Sequence, residues 1–327
     1  MPRHARLDAP GTLHHVMVRG SERTTVFRDD RDRADFIARL ARLAEAGAVT
    51  VYAWALLPNH AHLLVRTGAR PLPRSMRSLL TGYAGAFNRR HTRVGHLFQN
   101  RYRSIVVEAE PYLLEVVRYL HLNPLRALAR YPWTGHSALL GAVPRPWQAT
   151  AAILAPFGPT LPRARRAYRT FVADGSPQGR RPDLQGGGLV RSLGGWGSLL
   201  ALRQSRAAYA GDARILGSSQ FVAQMQREVE SPPQPSPFSA PLESLCARVC
   251  AHVGIPAEAL PGGGRLPAVT RARAGIAYLW VERLGRPGRP LASVLGLHPA
   301  AVYPAARRGT AQAKEWEQLL TKRGKAT

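Results

Sequence analysis

Apolar and polar positions along the first 125 residues change period several times, and each change marks an element. Residues 11–20, GTLHHVMVRG, alternate like a strand and end at Gly20. In residues 27–47, Phe36, Ile37, Leu40 and Leu43 recur at helical spacing. Asp29 and Asp30 put negative charge where a helix begins, and Gly47 stops it. Residues 48–57, AVTVYAWALL, read as a strand; the Pro58-Asn59 turn sends the chain back as HAHLLVR, so the two make a hairpin. A second helix is predicted over 74–91, a fourth strand over 101–109, and a third helix over 111–124, with Pro111 in its first turn.

The order β-α-β-β-α-β plus a helix is that of the ferredoxin-like split βαβ, an α+β class. From about residue 141 the chain turns rich in Pro and Gly, with one amphipathic helix predicted over 162–173. SPQGRRPDLQGGG (176–188) and ESPPQPSPFSAP (230–241) are linkers by composition. The glycines at 186–188 and 194–197 have no Gly-Lys-Ser/Thr after them, which excludes a phosphate-binding loop of that kind. Beyond 241, LESLCARVCAHVGI and TRARAGIAYLWVERLG predict two helices. PLASVLGLHPAAVYPAARRG predicts a helix-turn-helix: Leu291, Val294 and Leu295 pack, Gly296 turns, and Ala300 to Arg308 form a second helix for a DNA major groove. Pro304 is expected to kink or end that helix. The expected organisation is a domain at 1–141, a helical and linker region at 142–229, a linker at 230–241, a helical unit at 242–310 and a basic tail at 311–327.

Composition narrows the partners. A formal charge of +26 and a pI near 11.5 concentrate polyanions, nucleic acid above all. Two cysteines, Cys246 and Cys250, four apart on one expected helix, make neither a disulfide framework nor a zinc site. The sequence has no apolar run of about 20 residues and no signal-peptide core, so a cytoplasmic protein without membrane association is expected.

Chemistry concentrates in two places. His60 and His62 lie two apart in a strand and so share a face, about 7 Å from one another at a rise near 3.3 Å per residue; two such imidazoles can share one divalent ion. In the third helix Tyr119 and Asn123 share a face. Spacing alone does not raise Tyr119 above Tyr112 or Tyr102.

VYAWALLPNHAHLLV, GHLFQNRYRS and YLHLNPLRA followed by YPWTGHSALLG resemble the REP-associated tyrosine transposases, of the HUH-type single-tyrosine superfamily of bacterial insertion sequences. The likeness spans about His14 to Gly141; LVRSLGGWGSLLALR, ARILGSSQFV and the C-terminal helices resemble longer members. It implies a ferredoxin-like catalytic domain with an extra catalytic helix. Tyr119 matches the nucleophile; His60, His62 and Asn123 match the metal ligands; the ion would be Mg²⁺ or Mn²⁺. The reaction implied is nicking and rejoining of single-stranded DNA through a 5′-phosphotyrosine link, on hairpins of palindromic repeats. A catalytically silent repeat-binding regulator and a replication-type nickase are the alternatives, and a monomer and a homodimer are both open. Arg89, Arg90, Arg93, Arg101 and Arg103, interleaved with Phe98 and Tyr102, suit single-strand phosphates and bases, and Arg307 and Arg308 suit a duplex.

Overall fold

The computed structural model describes residues 7–68, 70–99, 101–125, 131–178, 184, 212, 214–230, 241–262, 266–284, 286 and 288–321. The chain divides into two compact units, Met1–Ser231 and Pro232–Thr327. Most of 176–188 and of the 230–241 linker, and all of LVRSLGGWGSLLALR, fall outside the described residues.

The first unit runs β1 (Leu13–Arg19), α1 (Asp30–Glu45), β2 (Val49–Leu57), β3 (His60–Thr67), α2 (Leu72–Arg90), β4 (Arg103–Val107) and α3 (Ala109–Leu125). Its sheet has the order β2-β3-β1-β4-β5, where β5 is the two-residue strand Ile215–Leu216. The first four strands pair antiparallel in the ferredoxin-like order, as expected from the sequence, and β5 joins β4 in parallel. No periodic pattern foretold β5.

Alternation within the strands gives the sheet two buried faces. Val16, Val18, Ala61, Leu63 and Val65 point to the side where α1 and α2 contribute Phe36, Ile37, Leu40, Leu79 and Phe87. Leu13, Leu64, Ile105 and Val107 point to the other, where α3 contributes Val116, Val117 and Leu120. A bulge in β2 between Val51 and Ala53 resets its register, so Val51 and Trp54 share the first face while Tyr52 and Ala53 share the second.

The chain after α3 covers the second face with α4 (His136–Leu139), α5 (Thr150–Leu154) and α6 (Leu161–Asp174). Gln148 latches this segment to β2: its Oε1 accepts from Trp54 Nε1 at 3.0 Å, and its Nε2 donates to the carbonyls of Tyr52 and Gly135. At the sheet edge α7 (Ser219–Glu230) begins where Ser218 N donates to Glu108 at 2.6 Å.

The second unit is helical: α8 (Leu242–Val253), α9 (Pro267–Ala277) continued as a π-helical stretch over Tyr278–Arg283, α10 (Gly288–Val294), α11 (Pro299–Gly309) and α12 (Ala313–Thr321). Both cysteines are buried on α8. Three expectations are corrected here. Val294 is 36% exposed, and Leu291, Ala292 and Leu295 do the packing. Pro304 does not end its helix: it is solvent-facing at the middle of α11, which forgoes one backbone bond there and runs on to Gly309. The segment read as a basic tail contains α12, because Trp316 and Leu320 at helical spacing insert into the core. Between α10 and α11, Gly296 has φ +61°, and a Cβ there would meet the Pro261 carbonyl oxygen at 2.2 Å, so only glycine fits.

Asp32 ties α1 to the end of α2. Its buried carboxylate accepts from Arg28 N at 2.9 Å and His91 Nε2 at 2.8 Å, and pairs with Arg90. Burial opposes its ionisation, but these donors outweigh it and hold the carboxyl below its usual range. Asp32→Ala is expected to cost about 3 kcal/mol, read as a lower urea midpoint, since it removes the carboxylate that His91 and Arg28 N donate to and leaves Arg90 with Asp35 alone. Because the folded group is the stronger acid, the wild-type advantage is complete above about pH 4 and is lost as pH falls through the folded value. Urea midpoints of the two proteins from pH 7 to 3 should therefore converge; curves that stay parallel would refute this account.

Candidate active site

The hairpin places the two histidines. Pro58 and Asn59 form its tip, held by the loop after β1: the Pro58 carbonyl accepts from Val26 N at 2.8 Å and the Asn59 carbonyl from Gly20 N at 2.9 Å. His60 and His62 then emerge on the α3 side, their ring centroids 5.1 Å apart. His60 is half-buried and His62 buried. Burial lowers the His60 pKa to about 4, helped by the charge of Arg19, its partner across β1. Burial also takes His62 well below the usual value, with His15 and His60 adding to the effect. Both rings are therefore neutral near pH 7 and each carries one lone pair.

The register of β1 adds a third imidazole that the sequence reading missed. His15 lies on the same face, fully buried, with Nε2 2.9 Å from His62 Nδ1 and the two rings stacked at 5.2 Å. Burial drops its pKa to about 4; Arg103 lowers it further and the Leu184 backbone opposes this. The adjacent His14 points to the opposite face and links Thr12 Oγ1 at 2.7 Å to Ser104 Oγ at 2.8 Å. The available signal was the pair His14-His15 in an otherwise apolar strand, of which one member had to face His62. Asn59, also missed, has its Oδ1 2.6 Å from His60 Nδ1.

Helix α3 brings the tyrosine. Tyr119 is 5% exposed, its ring centroid 6.3 Å from that of His62 and 6.2 Å from that of His15, edge-on to both. One turn on, Asn123 Nδ2 lies 3.4 Å from His62 Nε2. Of the three tyrosines left open by spacing, Tyr119 alone is set against the histidines: Tyr102 is buried in the α1/α2 core, and Tyr112 is half-buried on α3. Helix α3 is itself anchored to α6. His121 Nδ1 is 2.7 Å from Tyr168 Oη, and the Arg118 guanidinium stacks over Phe171 at 4.3 Å.

The donors His60, His62 and the Asn123 carboxamide suit a divalent ion. The Nδ1 atoms of both rings are engaged, by Asn59 and His15, and His62 Nε2 faces Asn123. Among the described residues Asp29, Asp32 and His91 also bring ligand atoms within 4.8 Å, but Arg90 already occupies Asp32.

The expected DNA contacts divide. Arg89, Arg101 and Arg103 are exposed, as are Arg307 and Arg308 on α11. Arg90 is committed to Asp32 and Asp35, and Arg93 donates to Asn88 Oδ1 at 3.3 Å. Tyr102 is 6% exposed, and Phe98 is half-buried with its ring 6.2 Å from that of Tyr83.

Residues 11–123 match the family described as "Transposase IS200 like". A solved structure of a REP-associated tyrosine transposase bound to a REP hairpin is similar over 45% of this chain and 90% of its own, at 14% identity and a TM-score of 0.38. A comparison with curated proteins finds no match. The stretch that matches this family carries β1 to β4, the histidine pair, Tyr119 and Asn123.

Proposed function

We propose that the first unit nicks and rejoins single-stranded DNA, with Tyr119 as nucleophile and hairpins of palindromic repeats as substrate. The observation that carries this reading is the setting of Tyr119 against His62 and His15, with Asn123 one turn away beside His62. The Tyr119 oxygen attacks phosphorus, the bond from phosphorus to the 3′ oxygen breaks, and the phenol proton ends on that 3′ oxygen. The DNA is left as a 5′-phosphotyrosine and a free 3′-hydroxyl. A second 3′-hydroxyl reverses the step and joins strands, because the link preserves the phosphodiester.

A phenol has a pKa near 10, so unaided attack is slow at pH 7. Mg²⁺ or Mn²⁺ held by His60, His62 and Asn123 would supply charge that polarises the scissile phosphate. The protein's own residues orient the reaction. Packing of Val116, Val117 and Leu120 on the sheet fixes where the Tyr119 ring stands. Arg19 and Arg103, exposed on the site's own sheet face, place guanidinium groups to receive flanking phosphates.

The second unit is assigned a duplex contact through α11, on which Tyr303, Arg307 and Arg308 are exposed while Val302, Ala305 and Ala306 pack inward.

Incubating the protein with labelled hairpin DNA and Mn²⁺ tests the reaction on a denaturing gel. A covalent adduct is expected, reduced at least about 1,000-fold in Tyr119→Phe, while hairpin retention on native gels is unchanged. Adduct that persists in Tyr119→Phe sinks the assignment; tight binding without adduct in the wild type points to a repeat-binding regulator. Chelation of divalent ions is expected to abolish the adduct and leave retention intact. For the second unit, Arg307→Ala with Arg308→Ala should flatten the slope of log affinity against log salt on duplex DNA by about 2; an unchanged slope removes both residues from the interface.

A further inference from the structure

We propose that His15 is a positioning residue that holds His62 with its proton on Nδ1, so that His62 Nε2 faces Asn123 as a bare lone pair. The inference rests on the reading of His60, His62 and Asn123 as an ion site. One proton lies between His15 Nε2 and His62 Nδ1, 2.9 Å apart, and there are two ways to place it. If His15 donates, the proton of the neutral His62 ring sits on Nε2 and blocks that atom as a ligand. If His62 donates, Nε2 is free and His15 carries its own proton on Nδ1.

Two contacts select the second arrangement. The Asn123 Nδ2 group, 3.4 Å from His62 Nε2, is a donor and needs an acceptor there. The neighbouring His60 repeats the pattern, since its Nδ1 stands 2.6 Å from the Asn59 carboxamide oxygen, which can only accept. Each ligand histidine is thus gripped through Nδ1 by a second protein group, Asn59 for one and His15 for the other, and turned to offer Nε2. His15 Nδ1 is buried without a partner in full hydrogen-bond geometry, and the Leu184 backbone lies against the ring. His15 suits this task because its stacked ring also fixes the His62 plane, and its edge contacts Tyr119.

The test uses the full chain, metal-free at pH 7, with ¹⁵N-labelled histidine rings read by long-range proton–nitrogen correlation. His62 is assigned by its disappearance in His62→Gln. The wild type is expected to show the His62 proton on Nδ1, unchanged in His15→Gln, whose carboxamide oxygen replaces the acceptor, and moved to Nε2 in His15→Leu. Mn²⁺ titration without DNA, followed by the electron resonance of free Mn²⁺, should weaken about 10–100-fold in His15→Leu and stay within about threefold in His15→Gln. A wild-type His62 proton on Nε2 overturns the proposal, and this reading stands even where His15→Leu does not fold. Equal Mn²⁺ affinity in all three proteins also overturns it. A wild type that binds Mn²⁺ no better than the His60→Ala/His62→Ala protein refutes the ion site instead, and the tautomer signal then decides the placement of the proton independently.

Discussion

Strand β3 is buried on both sides, and everything at the site follows from that. Ala61, Leu63 and Val65 are locked under α1 and α2, so His60 and His62 have only the α3 side left to them. A slip of one residue would exchange the two sets, burying imidazoles in an apolar layer and turning leucine towards Tyr119. The cost of that exchange makes the site's register as firm as the core itself. The same pairing with β1 leaves His15, and not His14, beside His62.

Tyr119 depends on a second set of restraints. The helix that carries it gains Val116, Val117 and Leu120 from the sheet side and the His121–Tyr168 and Arg118–Phe171 contacts from α6. The ring is thereby set against the histidines of its own chain. Burial of the imidazoles keeps them uncharged, which is the form that can ligate a cation.

Much of this was legible in the sequence, for identifiable reasons. Strong periods mark β1 to β4 and α1 to α3, and a two-residue alternation is enough to say that His60 and His62 share a face. Long-range pairing was not legible. That His15 touches His62 depends on strand register, that Arg90 is spent on Asp32 depends on how α1 meets α2, and that Tyr102 is buried depends on the path of the preceding loop. A two-residue strand such as β5 carries no period at all. Around residues 89–103, aromatics that anchor a loop and aromatics that stack on bases leave the same trace in one dimension.

The layer after α3 has a consequence for how this domain is divided. Ile153, Leu154, Tyr168 and Val172 complete the core on the face that carries His60 and His62, Gln148 ties itself to β2, and β5 closes the far edge from more than 90 residues downstream of α3's start. The stretch that matches a family, residues 11–123, is therefore shorter than the compact unit that contains it, Met1–Ser231. Family likeness and compactness draw their borders at different places in this chain. A fragment cut at residue 123 would keep His60, His62, Tyr119 and Asn123 and expose the apolar back of α3.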